Sequence, residues 1–174
     1  MHKILISLTL VLFLFSCGGK QEKVIKPPKT NEEAIKTYQE GLEALKSGDY
    51  FYASKKFSEA EGMLSEIDAA AKAALMSSYC LYNINSYDEA ILNLRRFIRI
   101  YPASPHVSYA HYLIAISYYE QILDEEKDVK PVLKSKEKIE LFLKKYPDTD
   151  YAMDLKFKLD LIENQMAAKE LSIA

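Results

Sequence analysis

Tryptophan is absent from this chain, and cysteine, histidine, glycine and proline are scarce: two Cys, three His, five Gly and six Pro in 174 residues. Each shortage removes a class of answer. Two cysteines cannot build a disulfide framework. None of the glycines forms a Gly-rich phosphate loop. The histidines are His2, His106 and His111. The last two are five apart and do not share a helix face as the four-residue spacing of a metal motif does. No serine or cysteine nucleophile has a base at recognisable spacing, so catalysis, a metal and a cofactor all lack support. Asp124-Glu125-Glu126 could attract a cation, but acidic loops are far more often solvated. A formal charge of −2 argues against nucleic acid as a partner. The apolar run from Ile4 to Phe15 has twelve residues, short of the about twenty that span a membrane.

What is present points to helices. With 49% apolar and 28% charged residues the chain can bury a core. The few prolines fall between helical stretches, which suits an all-α protein. Thirteen tyrosines fit either peptide-binding surfaces or helix-pair cores, and for any single tyrosine the core reading stands first. Cys80, mid-helix by pattern, reads as a small buried residue. One phrase occurs twice, 45 residues apart: Phe97-Ile98-Arg99-Ile100-Tyr101-Pro102 returns as Phe142-Leu143-Lys144-Lys145-Tyr146-Pro147. Such self-similarity marks stacked helix pairs in a solenoid, an architecture that usually works as a binding surface.

The first residues read as an address. His2 and Lys3 precede the short apolar run, which has the form of a signal-peptide core. It ends in Leu14-Phe15-Ser16-Cys17, which resembles the bacterial lipobox, with Phe15 bulky at a loosely specified place. The resemblance implies a signal peptide over 1–16 and an acylated Cys17 as the first mature residue. A chance cysteine behind an ordinary signal is the plainer alternative. Two buried acyl chains already anchor a protein stably. Gly18 follows the cysteine, and in lipoproteins the absence of an Asp sorting signal there implies the outer membrane, facing the periplasm. Residues 17–30 form the lipidated tether. Its stretch Gly18 to Thr30 is basic and carries Pro27-Pro28, so it reads as partly polyproline-like and reaches at most ~40 Å.

Residues 31–174 carry helical periodicity. Asn31 before Glu32-Glu33 reads as a helix start, and Gly48-Asp49-Tyr50 as a turn. Gly41, Tyr50, Ala53, Phe57 and Ala60 match the eighth, seventeenth, twentieth, twenty-fourth and twenty-seventh positions of the tetratricopeptide repeat. That resemblance implies units at about 34–67, 71–104 and 105–147, with a partial unit at 149–174. Small residues there let helices approach, and aromatics fill the gap. In the second unit Tyr87 and Ala90 take the Tyr and Ala places, Phe97 stands where alanine is more usual, and Pro102 ends the unit. Ala53 and Ala90 are 37 residues apart where the regular period is about 34. The third unit contains a charged insertion, Asp124 to Lys130, a second helix from Pro131 to Tyr146, and Pro147 at its end. The expected fold is an all-α solenoid of about three helix pairs and a final helix, which either packs back as a cap or leads into further repeats, as apolar Leu161, Met166 and Leu171 suggest.

Signal, lipobox, proline-containing tether, first repeat, the stretch Leu94 to His106, a tyrosine-rich helix, a charged insertion and Phe142 to Pro147 with Tyr151 after it occur here in the order of one family. The chain resembles the BamD (ComL-like) lipoproteins, most specifically from Phe97 to Tyr112, and has fewer repeats than that family. The resemblance implies a non-enzymatic subunit of the outer-membrane β-barrel assembly machinery. Its implied partners are the other subunits, the C-terminal segments of unfolded barrel proteins and, through acylated Cys17, the membrane. In that family the N-terminal repeats are associated with recognising substrate and the C-terminal repeats with the barrel subunit. Tetratricopeptide arrays usually turn the first helix of each pair to a groove. By motif offset the groove-facing residues are Ile35, Tyr38, Leu42 and Leu45, then Lys72, Leu75, Tyr79 and Tyr82, then Tyr109, Tyr112, Ile116 and Tyr119. These tyrosines suit an extended peptide ending in an aromatic residue, unless half of them pack between repeats. Two other roles remain open: a pilus or secretin assembly factor, and a cell-division coordinator. The missing heptads in the tether count against the second.

Overall fold

The computed structural model describes residues 31–124 and 129–173. Seven helices occupy them: α1 (Asn31–Ser47), α2 (Tyr50–Glu61), α3 (Ile67–Asn83), α4 (Tyr87–Ile100), α5 (Val107–Asp124), α6 (Val129–Lys145) and α7 (Asp150–Ile173). They pair in chain order, α1 with α2, α3 with α4 and α5 with α6, and α7 closes the series. This is the expected all-α solenoid.

Local chemistry explains the elements. Glu32 and Glu33 stand in the first turn of α1 and Lys46 in its last, each sign matched to the helix dipole. Gly48 takes φ 82°, which a glycine adopts without steric cost. Asp49 then caps α2 by accepting a hydrogen bond from the Tyr52 N–H at 3.0 Å. Helix α3 begins at Ile67 rather than near Ala71, because Asp68 and a run of alanines carry helical structure back by one turn. Helix α6 begins at Val129, inside the stretch expected to be an insertion, and holds Pro131 in its first turn, where a missing N–H costs nothing.

The small residues at the repeat positions set how near the helices come. Gly41 faces Phe57 so closely that a Cβ there would lie 2.9 Å from its Cε1. Ala53, Phe57, Ala60 and Ala90 are fully buried. Tyr38 packs edge-on against Phe57, ring centroids 5.2 Å apart. Ser54 and Ser77 join α2 to α3 through a buried hydroxyl pair at 3.1 Å. Cys80 is buried in the same small core, which pushes its thiol up to about 12. A larger core continues from α3 through α7 around Leu94, Phe97, Leu113, Ile139, Phe142 and Leu155.

The duplicated phrase folds the same way twice. Phe97 and Phe142 are buried, and Tyr101 and Tyr146 pack on them at 5.7 and 5.2 Å. In each copy the tyrosine N–H donates to the phenylalanine carbonyl at 2.8 Å. Pro102 and Pro147 follow, exposed to solvent, and stop the helices.

The two layers of the array differ. Helix α3 touches α5, and α5 touches α7; among the described residues the backbones of α2 and α4, and of α4 and α6, do not come as close, and α2 meets α4 through the Glu61–Arg96 ion pair. From α3 onward the first helices of the units are therefore gathered together while α4 and α6 stand apart, so this part of the array curves with α3, α5 and α7 on its inner side.

Candidate peptide-binding face

The inner layer gathers aromatic side chains. On α5, Tyr109, Tyr112, Ile116 and Tyr119 recur at spacings of three and four, which places them along one stripe. Tyr109 and Tyr112 stack on each other at 6.0 Å. Both also meet Tyr151 of α7, at 5.4 and 4.8 Å. Tyr79 and Tyr82 of α3 pack at the border of the same core, and Tyr82 also meets Tyr87 at 5.7 Å. All of these rings are half-buried.

A polar thread crosses the aromatic patch. The Tyr112 hydroxyl donates to Asp154 Oδ2 at 3.0 Å. Lys158 donates to Asp154 Oδ1 at 3.1 Å, and its ammonium lies 5.0 Å from the centre of the Tyr119 ring. Carboxylate, ammonium and two tyrosines thus hold one another in place across α5 and α7.

Burial raises three of these phenols further above neutrality. It pushes Tyr109 up to about 12, helped by Tyr79 and Tyr151, and Tyr82 up to about 12, helped by Glu120. Tyr112 is raised further, first by burial and then by its hydrogen bond to Asp154. These groups stay protonated in neutral water. With the Tyr112 hydroxyl given to Asp154, Tyr82 and Tyr109 set hydroxyls in apolar ring surface, suited to holding a peptide's carbonyls and aromatic side chains.

Not every residue assigned to the groove faces it. Leu75 and Ile116, each 5% exposed, belong to the core. Tyr38, Leu42 and Leu45 pack against the small core of the first pair. Ile35, 48% exposed, lines with Tyr38, Leu64, Ala69 and Lys72 a separate apolar depression of about 200 Å³. The aromatic patch proper is built from Tyr79, Tyr82, Tyr109, Tyr112 and Tyr119, to which the structure adds Tyr151, Asp154 and Lys158. The signal for those three is their spacing, which puts them on one face of the first helix of a fourth unit. His106 is exposed and His111 half-buried. Cys17 and the preceding Leu14, Phe15 and Ser16 lie outside the described residues, as do residues 125–128 of the charged insertion. Among the described residues no helix is long and apolar enough to cross a membrane, and no cluster of side chains could hold a metal ion.

A family model described as an outer membrane lipoprotein (YfiO) matches residues 30–174. The outer membrane protein assembly factor BamD of Caulobacter vibrioides is 34% identical over 170 residues, covering 97% of this chain and 56% of that protein. Its counterpart in Rickettsia prowazekii is 33% identical over 173 residues, covering 97% of this chain and 66% of the relative. The BamD of Neisseria meningitidis serogroup A is 24% identical over 186 residues, covering 100% and 69%. The chain thus spans less than two thirds of the length of the first two relatives.

Proposed function

The chain belongs to the outer membrane lipoprotein family whose model it matches over residues 30–174, and from that premise we propose that it serves as a binding subunit of the outer-membrane β-barrel assembly machinery. In this reading the chain is not an enzyme. It is held at the periplasmic face of the outer membrane by acylated Cys17. Its tyrosine face receives the C-terminal segment of an unfolded barrel protein, while the machinery's other subunits dock elsewhere on the array.

The observation that carries the reading is the ring cluster of Tyr109, Tyr112 and Tyr151, with Asp154 and Lys158 fixed beside it. Rigid rings give a peptide contact area at low entropic cost. The Tyr109 and Tyr151 hydroxyls can donate to an extended backbone or a terminal carboxylate, while that of Tyr112 is engaged with Asp154. The concave side of a solenoid is the usual place for such a ligand.

A photoreactive amino acid at Tyr79 or at Tyr112, offered a peptide with the terminal sequence of a barrel protein, is expected to crosslink at both positions. The same reagent at exposed Leu92 of α4 serves as the outer-side control. Crosslinks from Leu92 with none from Tyr79 or Tyr112 would reject the face. Cys17→Ala is expected to release the protein from membranes, and full retention would reject the anchor.

A further inference from the structure

On the side of α5 away from the tyrosines, the wedge between α4 and α6 opens into a cleft of about 710 Å³. Its floor is apolar, with Ile114 and Phe142 recessed and buried, and Leu141, 54% exposed, forms a lip. Its rim is cationic: Arg95 stands on the α4 bank, and Lys138, Lys144 and Lys145 stand on the α6 bank. No carboxylate lines it. Lys138 is occupied by Glu137 at 2.7 Å. The others are not so matched. Arg95 donates to the Tyr118 hydroxyl at 2.8 Å, and Lys145 shares a hydrogen bond with His111 Nε2 at 3.1 Å. Arg95, Lys144 and Lys145 have no acidic partner within ion-pair distance among the described residues.

We propose that this cleft binds an acidic, amphipathic peptide segment of a partner protein. Its carboxylates lie on Arg95, Lys144 and Lys145, and one of its apolar side chains lies on the Ile114 and Phe142 floor. Three unmatched cations around a ligand-sized apolar hollow call for a partner that is both anionic and apolar. A bilayer has both properties, but its surface is flat. It would meet the lysines and leave the recessed floor unfilled, whereas a peptide side chain can enter the hollow. On α5 the cleft is lined by His111 and Ile114, off the tyrosine stripe, and Phe142 forms the wall between the two, meeting Tyr112 at 6.3 Å.

The test uses the full chain in detergent micelles and fluorescence anisotropy of a short labelled peptide in which glutamates alternate with Leu and Phe. Lys144→Glu combined with Lys145→Glu is expected to weaken binding by about tenfold or more. The same charge change at exposed Lys46 and Lys55 is expected to alter it less than about twofold. Leu141→Ser should also weaken binding, and a peptide with lysines in place of glutamates should not bind. Lys144→Gln with Lys145→Gln gives a milder version if the charge reversal disturbs folding, which circular dichroism reports. Equal losses in the two double reversals would reduce the effect to net charge and overturn the proposal. So would undiminished peptide binding to the Lys144 and Lys145 variants. Co-flotation with phosphatidylethanolamine–phosphatidylglycerol vesicles that is lost in those variants, with no peptide binding, would assign the lysines to a lipid surface instead and overturn it likewise.

Discussion

Gly41 shows how much one missing atom can decide. The approach of α1 to α2 rests on Phe57 lying where a Cβ would otherwise be. Gly41→Ala has two opposed effects, since alanine favours the helix by about 1 kcal/mol and overpacking costs about 1–3 kcal/mol. The contact is with the ring of a fully buried residue, which has little room to yield, so net destabilisation is expected in a urea titration. Phe57→Leu in the same chain should recover part of the Gly41→Ala loss, and full additivity of the two losses would refute the steric account. Glu61 is a second residue with several dependents. Both terminal guanidinium nitrogens of Arg96 donate to it, as does the Tyr101 hydroxyl at 2.9 Å. Burial, and then this carboxylate, push Tyr101 up to about 12. Glu61→Gln should cost about 1–3 kcal/mol and bring the Tyr101 midpoint down, measured by phenolate absorbance. The descent should be partial because burial, the larger cause, remains.

The helices themselves were largely legible, and the limits of that legibility are physical. Periodicity located each helix because an apolar stripe must face a partner. It could not say which partner. Leu75 and Ile116 sit on the same stripes as the groove tyrosines, yet they turn into the core, since a stripe wide enough to serve two neighbours has an edge on each. The start of α3 was obscured because Ile67, 72% exposed, breaks the apolar pattern while remaining helical. Tyr151 stood out in sequence only as a landmark after Pro147 and not as a groove residue, because packing across about forty residues brings it to Tyr109 and Tyr112. Between α5 and α6, His111 gives an element-scale prediction. Burial, with the Lys145 ammonium beside it, holds its imidazole below the ordinary value of 6.5. The unfolded chain therefore takes up that proton more readily than the folded one. The contribution of His111 to stability is complete above the ordinary value and is lost as pH falls through it toward the folded midpoint. Thermal melts should show that loss, and His111→Gln should flatten it. An NMR titration of Lys145→Met should move the His111 midpoint upward, and an unmoved midpoint would exclude the lysine as a cause.

At the scale of the whole molecule, each helix leans mainly on its sequence neighbours. Damage should then stay local. Leu155 of α7 is fully buried, and Leu155→Ala is expected to cost about 2–5 kcal/mol in the α5–α7 region. Amide exchange in α1 and α2 should change less than about twofold. A uniform rise in exchange along the chain would show that the array melts as one unit. The two faces of the curved array divide the chemistry in the same geometric way. Gathering the first helices brings distant tyrosines together, and splaying the second helices opens the basic cleft.

That chain of neighbours also governs how the molecule forms. Contacts between helices join mainly neighbours in sequence, so the loop entropy spent before a contact is rewarded stays modest, and such helical topologies fold in microseconds to milliseconds. Synthesis delivers about 5–20 residues per second, so α1 and α2 can close on each other long before α7 exists. Each later pair arrives at a finished surface and adds to it.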